Sequence, residues 1–146
     1  MKHDTATPYI AAFIIFRKGG KIALLLRHNT GWMDNQYGLP AGKVEHNESF
    51  IQAAMREAKE ETGAELELQN LKHVLTLHRH DNDMTWVDII FEALDWQGEL
   101  INAEPDKHSE INWFDPKALP KNTIPVTRYY LEMISKGQTY AEYGWE

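Results

Sequence analysis

The chain predicts an α/β fold, with one helix early, one helix late and strands between them, layered as an α/β/α sandwich. Three observations predict it. Two short apolar segments, residues 9–16 and 22–27, flank the turn Lys18-Gly19-Gly20 and read as a β-hairpin. A segment with helical spacing follows Ser49 and stops at Gly63. Two more strand-like segments, 73–79 and 85–94, precede a second helical segment at 126–135.

Each element has a local reason. Residues 9–16 are apolar and aromatic and follow Pro8, which favours an extended chain. Residues 28–36 form a polar loop containing Gly31 and Trp32, and a short strand near 37–39 leads into the first helix. Ser49 with Gln52 three residues on resembles a capping box, and Asn47 is the alternative cap. Gly63 suits the left-handed C′ position. Ile51, Ala54 and Ala58 make a narrow stripe suited to close packing on a sheet. Residues 66–71 read as strand or extended chain, and Asp81-Asn82-Asp83 as a polar turn joining two strands. Residues 111–114 read as a short strand, and 126–135 as a helix ending before Gly137.

Bulk properties narrow the function. A chain of 146 residues reads as a single domain, 1–146, large enough for a real core. The formal net charge of −7 argues against a nucleic-acid polymer as partner, while leaving open a nucleotide whose phosphates a cation bridges. With no cysteine, thiol catalysis and disulfides are excluded. No apolar run approaches a membrane span and the first residues do not read as a signal peptide, so the cytoplasm is the expected compartment and no membrane partner is expected.

The chemistry concentrates in GKVEHNESFIQAAMREAKEETGA, residues 42–64. Glu57, Glu60 and Glu61 stand at i, i+3 and i+4, on one helical face. Like charges so placed repel, and the arrangement makes sense with a cation among them. Oxygen-only donors suit Mg²⁺, with Mn²⁺ as a substitute. A solvated charged face is the alternative reading of any Glu- and Lys-rich helix. Gly42 allows close approach of the backbone to a ligand. Arg56 can pair with Glu60 or hold Glu48 or another carboxylate in place.

The run resembles a complete Nudix box: Gly42, five residues, Glu48, seven residues, Arg56-Glu57-Ala58, one residue, Glu60-Glu61, one residue, Gly63-Ala64. Residues 103–114 and 119–125 are similar to the C-terminal half of the MutT-type nucleoside-triphosphate pyrophosphohydrolases. The resemblance implies a mixed sheet between helices and a hydrolase of a nucleoside diphosphate linked to a group X. In the MutT branch the reaction is nucleoside triphosphate plus water giving monophosphate and pyrophosphate. By the same resemblance Glu57 and Glu61 are metal ligands, and Glu60 is a third ligand or the activator of water. The carbonyl of Ala41 is a backbone ligand at a position where glycine is usual. Glu48 and Arg56 support the site. Glu104 is a loop carboxylate reaching the metal from the far side, competing with Glu60 as general base, and Glu110 is a weaker candidate. A homodimer is compatible with the resemblance and not required by it.

Substrate selection rests on fewer residues. Arg27, at the end of a strand, suits a phosphate, and a surface arginine is the plain alternative. Asn122 matches a base-reading asparagine of the MutT type, with a loop amide bonded to nearby backbone as its alternative. Trp32, Tyr37, Trp86 and Phe91 are stacking candidates, although strand aromatics are more often core. His73, His78, His80 and His108 read as satisfied or exposed side chains. Substrates to weigh are a triphosphate with an oxidised or otherwise modified base, or a pyrimidine nucleotide. ADP-ribose, a nucleotide sugar or a dinucleoside polyphosphate form the next group, and a non-catalytic nucleotide sensor is the contrasting class.

Overall fold

The computed structural model describes residues 3–146. Eight strands and two α-helices follow in the order β1 (Tyr9–Lys18), β2 (Lys21–Arg27), β3 (Tyr37–Gly38), β4 (Ala41–Lys43), α1 (Phe50–Thr62), β5 (Leu71–Asp81), β6 (Met84–Ala93), β7 (His108–Phe114), α2 (Pro125–Ser135) and β8 (Tyr140–Tyr143). The sheet runs β3-β2-β1-β6-β5-β8, with β4 also on β1 and β7 also on β2. It is mixed: β1 runs parallel to β6 and β5 to β8, and the other pairs are antiparallel.

β1 is central, which explains its nearly unbroken apolar sequence: both of its faces are covered. One face presents Ala12, Ile14 and Phe16 to Ala53, Ala54 and Ala58 of α1, small residues that let helix and sheet approach closely. The other packs Phe13 and Ile15, with Leu75, Leu77 and Ile90, against Ile124, Val126, Tyr130 and Leu131 around α2. These are the two cores of the expected sandwich.

Local signals explain the boundaries. Ser49 accepts from the Gln52 N–H at 3.1 Å and the Gln52 side chain closes the capping box, so Asn47 is not the cap. Gly63 ends α1 in the left-handed conformation, φ 76°, with its N–H on the Lys59 carbonyl. Pro125 opens α2 one residue earlier than the apolar spacing indicates, where its missing N–H costs nothing. Residues 66–71 depart from expectation: Leu68–Asn70 form a 3₁₀ turn closed by Glu67 and Asn70, and Leu71 already belongs to β5. The short strands β4 and β8 escaped the sequence reading because neither is long enough to show a two-residue period.

Candidate active site

The site forms where the second half of α1 passes beside β4. A Cβ built on Gly42 would lie 2.0 Å from Glu57 Oε1 and 2.1 Å from its Cδ, so only glycine leaves this carboxylate its place. Arg56 fixes the surroundings. Its Nε and Nη2 donate to Glu48 at 3.1 and 2.7 Å, its Nη1 to Glu57 at 2.7 Å and to Glu60 at 3.3 Å, and Nη2 also to the Lys43 carbonyl at 3.1 Å. The guanidinium holds Glu48 below the usual carboxylate range. Glu60 keeps about half of its side chain in solvent, unlike Glu57 and Glu61.

Glu61 is the most enclosed of the three, 7% exposed. Its Oε1 accepts from the Ala41 N–H at 2.6 Å. β4 pairs with β1 so that Ile14 N–H bonds Pro40 and Val44 N–H bonds Ile10, which makes Ala41–Phe13 a non-hydrogen-bonded pair. The main-chain groups of Ala41 therefore point away from β1, N–H to Glu61 and carbonyl towards the open side. Glu104 arrives from the loop after β6, which is strapped to the end of α1 by Ile101 N–H on Thr62 and Ala103 N–H on Glu61 carbonyl oxygens. One donor atom each from Glu61, Glu104 and His108 lie within 4.8 Å of one another.

Burial raises the pKa of Glu57, opposed by Arg56 and reinforced by Glu60 and Glu104. Burial pushes Glu61 well above its ordinary value, and the charges of Glu57 and Glu104 add to the effect. Arg56 and Arg27 stand near these carboxylates and Lys107 lies 3.6 Å from Glu104, yet Glu57 and Glu61 remain clustered and dehydrated, a donor set that fits a divalent ion. The remaining acid candidate, Glu110, lies elsewhere: it accepts from the Tyr37 hydroxyl.

Two clefts meet at this point. One, about 650 Å³, is lined by Glu57, Glu60, Glu61, Glu104, Arg56 and Lys107 among others. The other, about 540 Å³, runs beneath α2 and is lined by Phe13, Trp32, Arg79, Asp81, Trp86 and Tyr130 among others. Arg27, Ala41, Gly42, Lys43, Glu61 and His108 line both. Arg27 donates through Nε to the Trp32 carbonyl at 2.8 Å, and its guanidinium lies 5.0 Å from the Trp32 ring centre. Burial lowers its pKa, opposed by Glu61 and Asp34.

Other candidates are placed differently. Asn122 lines neither cleft, and its amide donates to the Asn35 carbonyl at 2.8 Å, tying two loops together. Of the stacking candidates, Trp32 and Trp86 line the second cleft, Phe91 packs under α1, and Tyr37 packs edge-on against Phe114. His78 and His80 flank Trp145 at 4.6 and 4.9 Å. His108 corrects the sequence reading: it is 3% exposed, its Nδ1 has no partner among the described residues, and its Nε2 lies 3.5 Å from Glu61. Burial and the charge of Arg27 push it down to about 4. Its register opposite Arg27 across β2 and β7 brings it there, a long-range pairing with no local signal.

Comparison with known proteins bears on the domain as a whole. The NUDIX domain family model matches residues 6–134. A Danio rerio protein named 8-oxo-dGDP phosphatase NUDT18 is 29% identical over 140 residues, 94% of this chain and 40% of its own. A Methanocaldococcus jannaschii protein named ADP-ribose pyrophosphatase is 34% identical over 114 residues, 78% of this chain and 66% of its own. The chain thus spans less than two thirds of the length of either relative. The crystal structure of a MutT NUDIX hydrolase from Burkholderia pseudomallei matches with a TM-score of 0.79 and 30% identity, covering 86% of this chain and 97% of that one.

Proposed function

Because the chain belongs to the Nudix hydrolase family, we propose that it hydrolyses a phosphoanhydride in a nucleoside diphosphate-X substrate with the help of Mg²⁺, for which Mn²⁺ can substitute. A nucleoside triphosphate, with a normal or oxidised base, is the preferred substrate, giving monophosphate and pyrophosphate. The observation that carries this reading is the continuity of the two clefts: an acidic one sized for phosphates and a cation opens into one walled by aromatic side chains and sized for a nucleoside.

Glu57, Glu61, Glu104 and the Ala41 carbonyl would hold the ion, with Glu60 at its more exposed side. Such an ion neutralises phosphate charge and acidifies water when bound. The chain's own groups do the rest. Arg56 keeps Glu48 and Glu57 oriented. Arg27, whose Nη groups make no hydrogen bond among the described residues, receives phosphate oxygens at the junction of the clefts. Glu104 and Glu60, which both line the acidic cleft, would take a proton from the attacking water.

The archaeal relative named for ADP-ribose supports a second reading, in which a longer substrate fills both clefts. One experiment separates them. Pyrophosphate and phosphate release is followed across normal and oxidised triphosphates, ADP-ribose, sugar nucleotides and dinucleoside polyphosphates, with Mg²⁺ and with chelator. Mg²⁺-dependent pyrophosphate release from a triphosphate is expected. Turnover confined to ADP-ribose or a sugar nucleotide would move the substrate, and nucleotide binding without turnover would make the domain a sensor.

A further inference from the structure

The cleft beneath α2 contains two charged groups that the phosphate chemistry leaves unused. Arg79 and Asp81 alternate along β5, so both face the same side of the sheet. Their partners across β6, Trp86 and Met84, line the same cleft. Arg79 is 6% exposed. Its Nε and Nη2 donate to Asp88 at 2.7 and 3.2 Å, and the Tyr130 hydroxyl donates to the same carboxylate at 2.5 Å. The guanidinium lies 4.7 Å from the centre of the Trp86 ring. Its plane is therefore locked, and one edge remains: Nη1 makes no hydrogen bond among the described residues and stands 3.6 Å from Asp81 Oδ2. The backbone position of Asp81 is set by the hairpin turn that follows, where Asn82 and Asp83 both have positive φ, 50° and 62°, the geometry of a tight two-residue turn, and its carboxylate is partly open to the cleft.

A cationic donor locked against an aromatic wall and a two-oxygen acceptor side by side with it form a ruler for a planar heterocycle. On the reading of the domain as a nucleotide hydrolase, we infer that Arg79 and Asp81 are the base-selecting pair and that they favour guanine. Guanine presents in a row an acceptor, O6, for Arg79 Nη1 and two donors, N1–H and the 2-amino group, for the Asp81 carboxylate. Adenine and cytosine offer the carboxylate one amino group. Uracil and thymine place a second carbonyl where the carboxylate stands. Oxidation at C8 lies off this edge, so the pair accepts normal and oxidised guanine alike.

Monophosphates test this without turnover. Calorimetric affinities for GMP, IMP, AMP and CMP would be measured with Mg²⁺ on the wild-type chain and on Asp81→Ala. IMP differs from GMP only by the 2-amino group. The expected result is GMP bound about tenfold or more tighter than IMP, since a site built around a hydrogen bond rejects the ligand lacking it. That ratio should fall to within about twofold in Asp81→Ala, the signature of a lost direct contact. Equal wild-type affinities for GMP and IMP, a ratio unchanged in the variant, or no monophosphate binding would each overturn the inference. The hydrolase reading fails separately, by absence of Mg²⁺-dependent cleavage, and a GMP preference surviving that failure would leave the base-selecting pair standing.

Discussion

Gly42→Ala is the sharpest perturbation of the site, because its effect follows from one distance. The new methyl carbon would sit 2.0 Å from Glu57 Oε1 and 2.1 Å from Cδ. Non-bonded heavy atoms rest about 3.5 Å apart, so the carboxylate must retreat by about 1.5 Å. The backbone itself does not object, since Gly42 is not among the glycines with positive φ. Glu57 would lose its place beside Glu61 and its 2.7 Å bond from Arg56. A misplacement of about 1 Å at a reacting centre can cost roughly a hundredfold in rate, and at least that loss in kcat/KM is expected on the best substrate of the nucleotide panel. Stability should stay within about 1 kcal/mol, because replacing a glycine of ordinary φ by alanine restricts the unfolded chain. Mn²⁺ affinity, read from the loss of the free-ion electron paramagnetic resonance signal, should fall together with the rate while the thermal midpoint holds. A variant that binds Mn²⁺ normally and keeps wild-type kcat/KM would show that Glu57 does not act from where Gly42 lets it lie.

Three further perturbations probe the surroundings. Arg56→Lys keeps the charge but cannot serve Glu48, Glu57 and Glu60 together, so it should recover only part of the kcat lost in Arg56→Ala; full recovery would reduce Arg56 to a point charge. Glu61→Gln keeps an acceptor for the Ala41 N–H and removes a buried charge whose pKa is raised. A raised carboxylate stabilises the fold only while protonated, and that contribution is lost as pH rises through its folded pKa. The metal-free variant should therefore be the more stable at pH 8, with the gap closing near pH 4.5, while its Mg²⁺-dependent rise in thermal midpoint disappears; a gap that widens on acidification would contradict this. Asp88→Asn strips the charge partner from the enclosed Arg79, and by the usual cost of breaking a buried pair should destabilise the chain by about 3 kcal/mol in urea unfolding; a loss under about 1 kcal/mol would mean that water already reaches the pair.

The parts of the molecule visible in the sequence are those set by local rules. The cap at Ser49, the stop at Gly63, the hairpin at Lys18-Gly19-Gly20 and the alanine face of α1 depend on neighbours a few residues apart. The carboxylates of α1 share a face for the same reason. The helical period does not say that Gly42 must make room for Glu57, since β4 and α1 meet only in the fold. The sequence reads His108 only as a satisfied or exposed side chain and gives no sign of Arg79, because the importance of both comes from pairing across strands: Arg27 with His108, and Leu77 with Asp88. Asn122 shows the opposite case, a residue type suited to base reading whose amide the fold engages with the Asn35 carbonyl.

Helix α1 is also where local stability and site chemistry disagree most plainly. Carboxylates at i, i+3 and i+4 weaken a helix, and here two of them are dehydrated enough to resist ionisation. The helix is nonetheless closed at both ends, by the Ser49–Gln52 box and the left-handed Gly63, and its inner face is packed with alanine against β1. Arg56 offsets part of the repulsion from within the same turn. It is drawn towards Glu48 and the Lys43 carbonyl as well, so it cannot neutralise Glu61. The uncompensated charge is therefore directed at the junction of the two clefts, which Arg27 and Lys43 also line and where burial lowers the pKa of Arg27. A helix secured so thoroughly, with this charge left unbalanced at a cavity wall, is what the proposed role of the site in holding a cation would require.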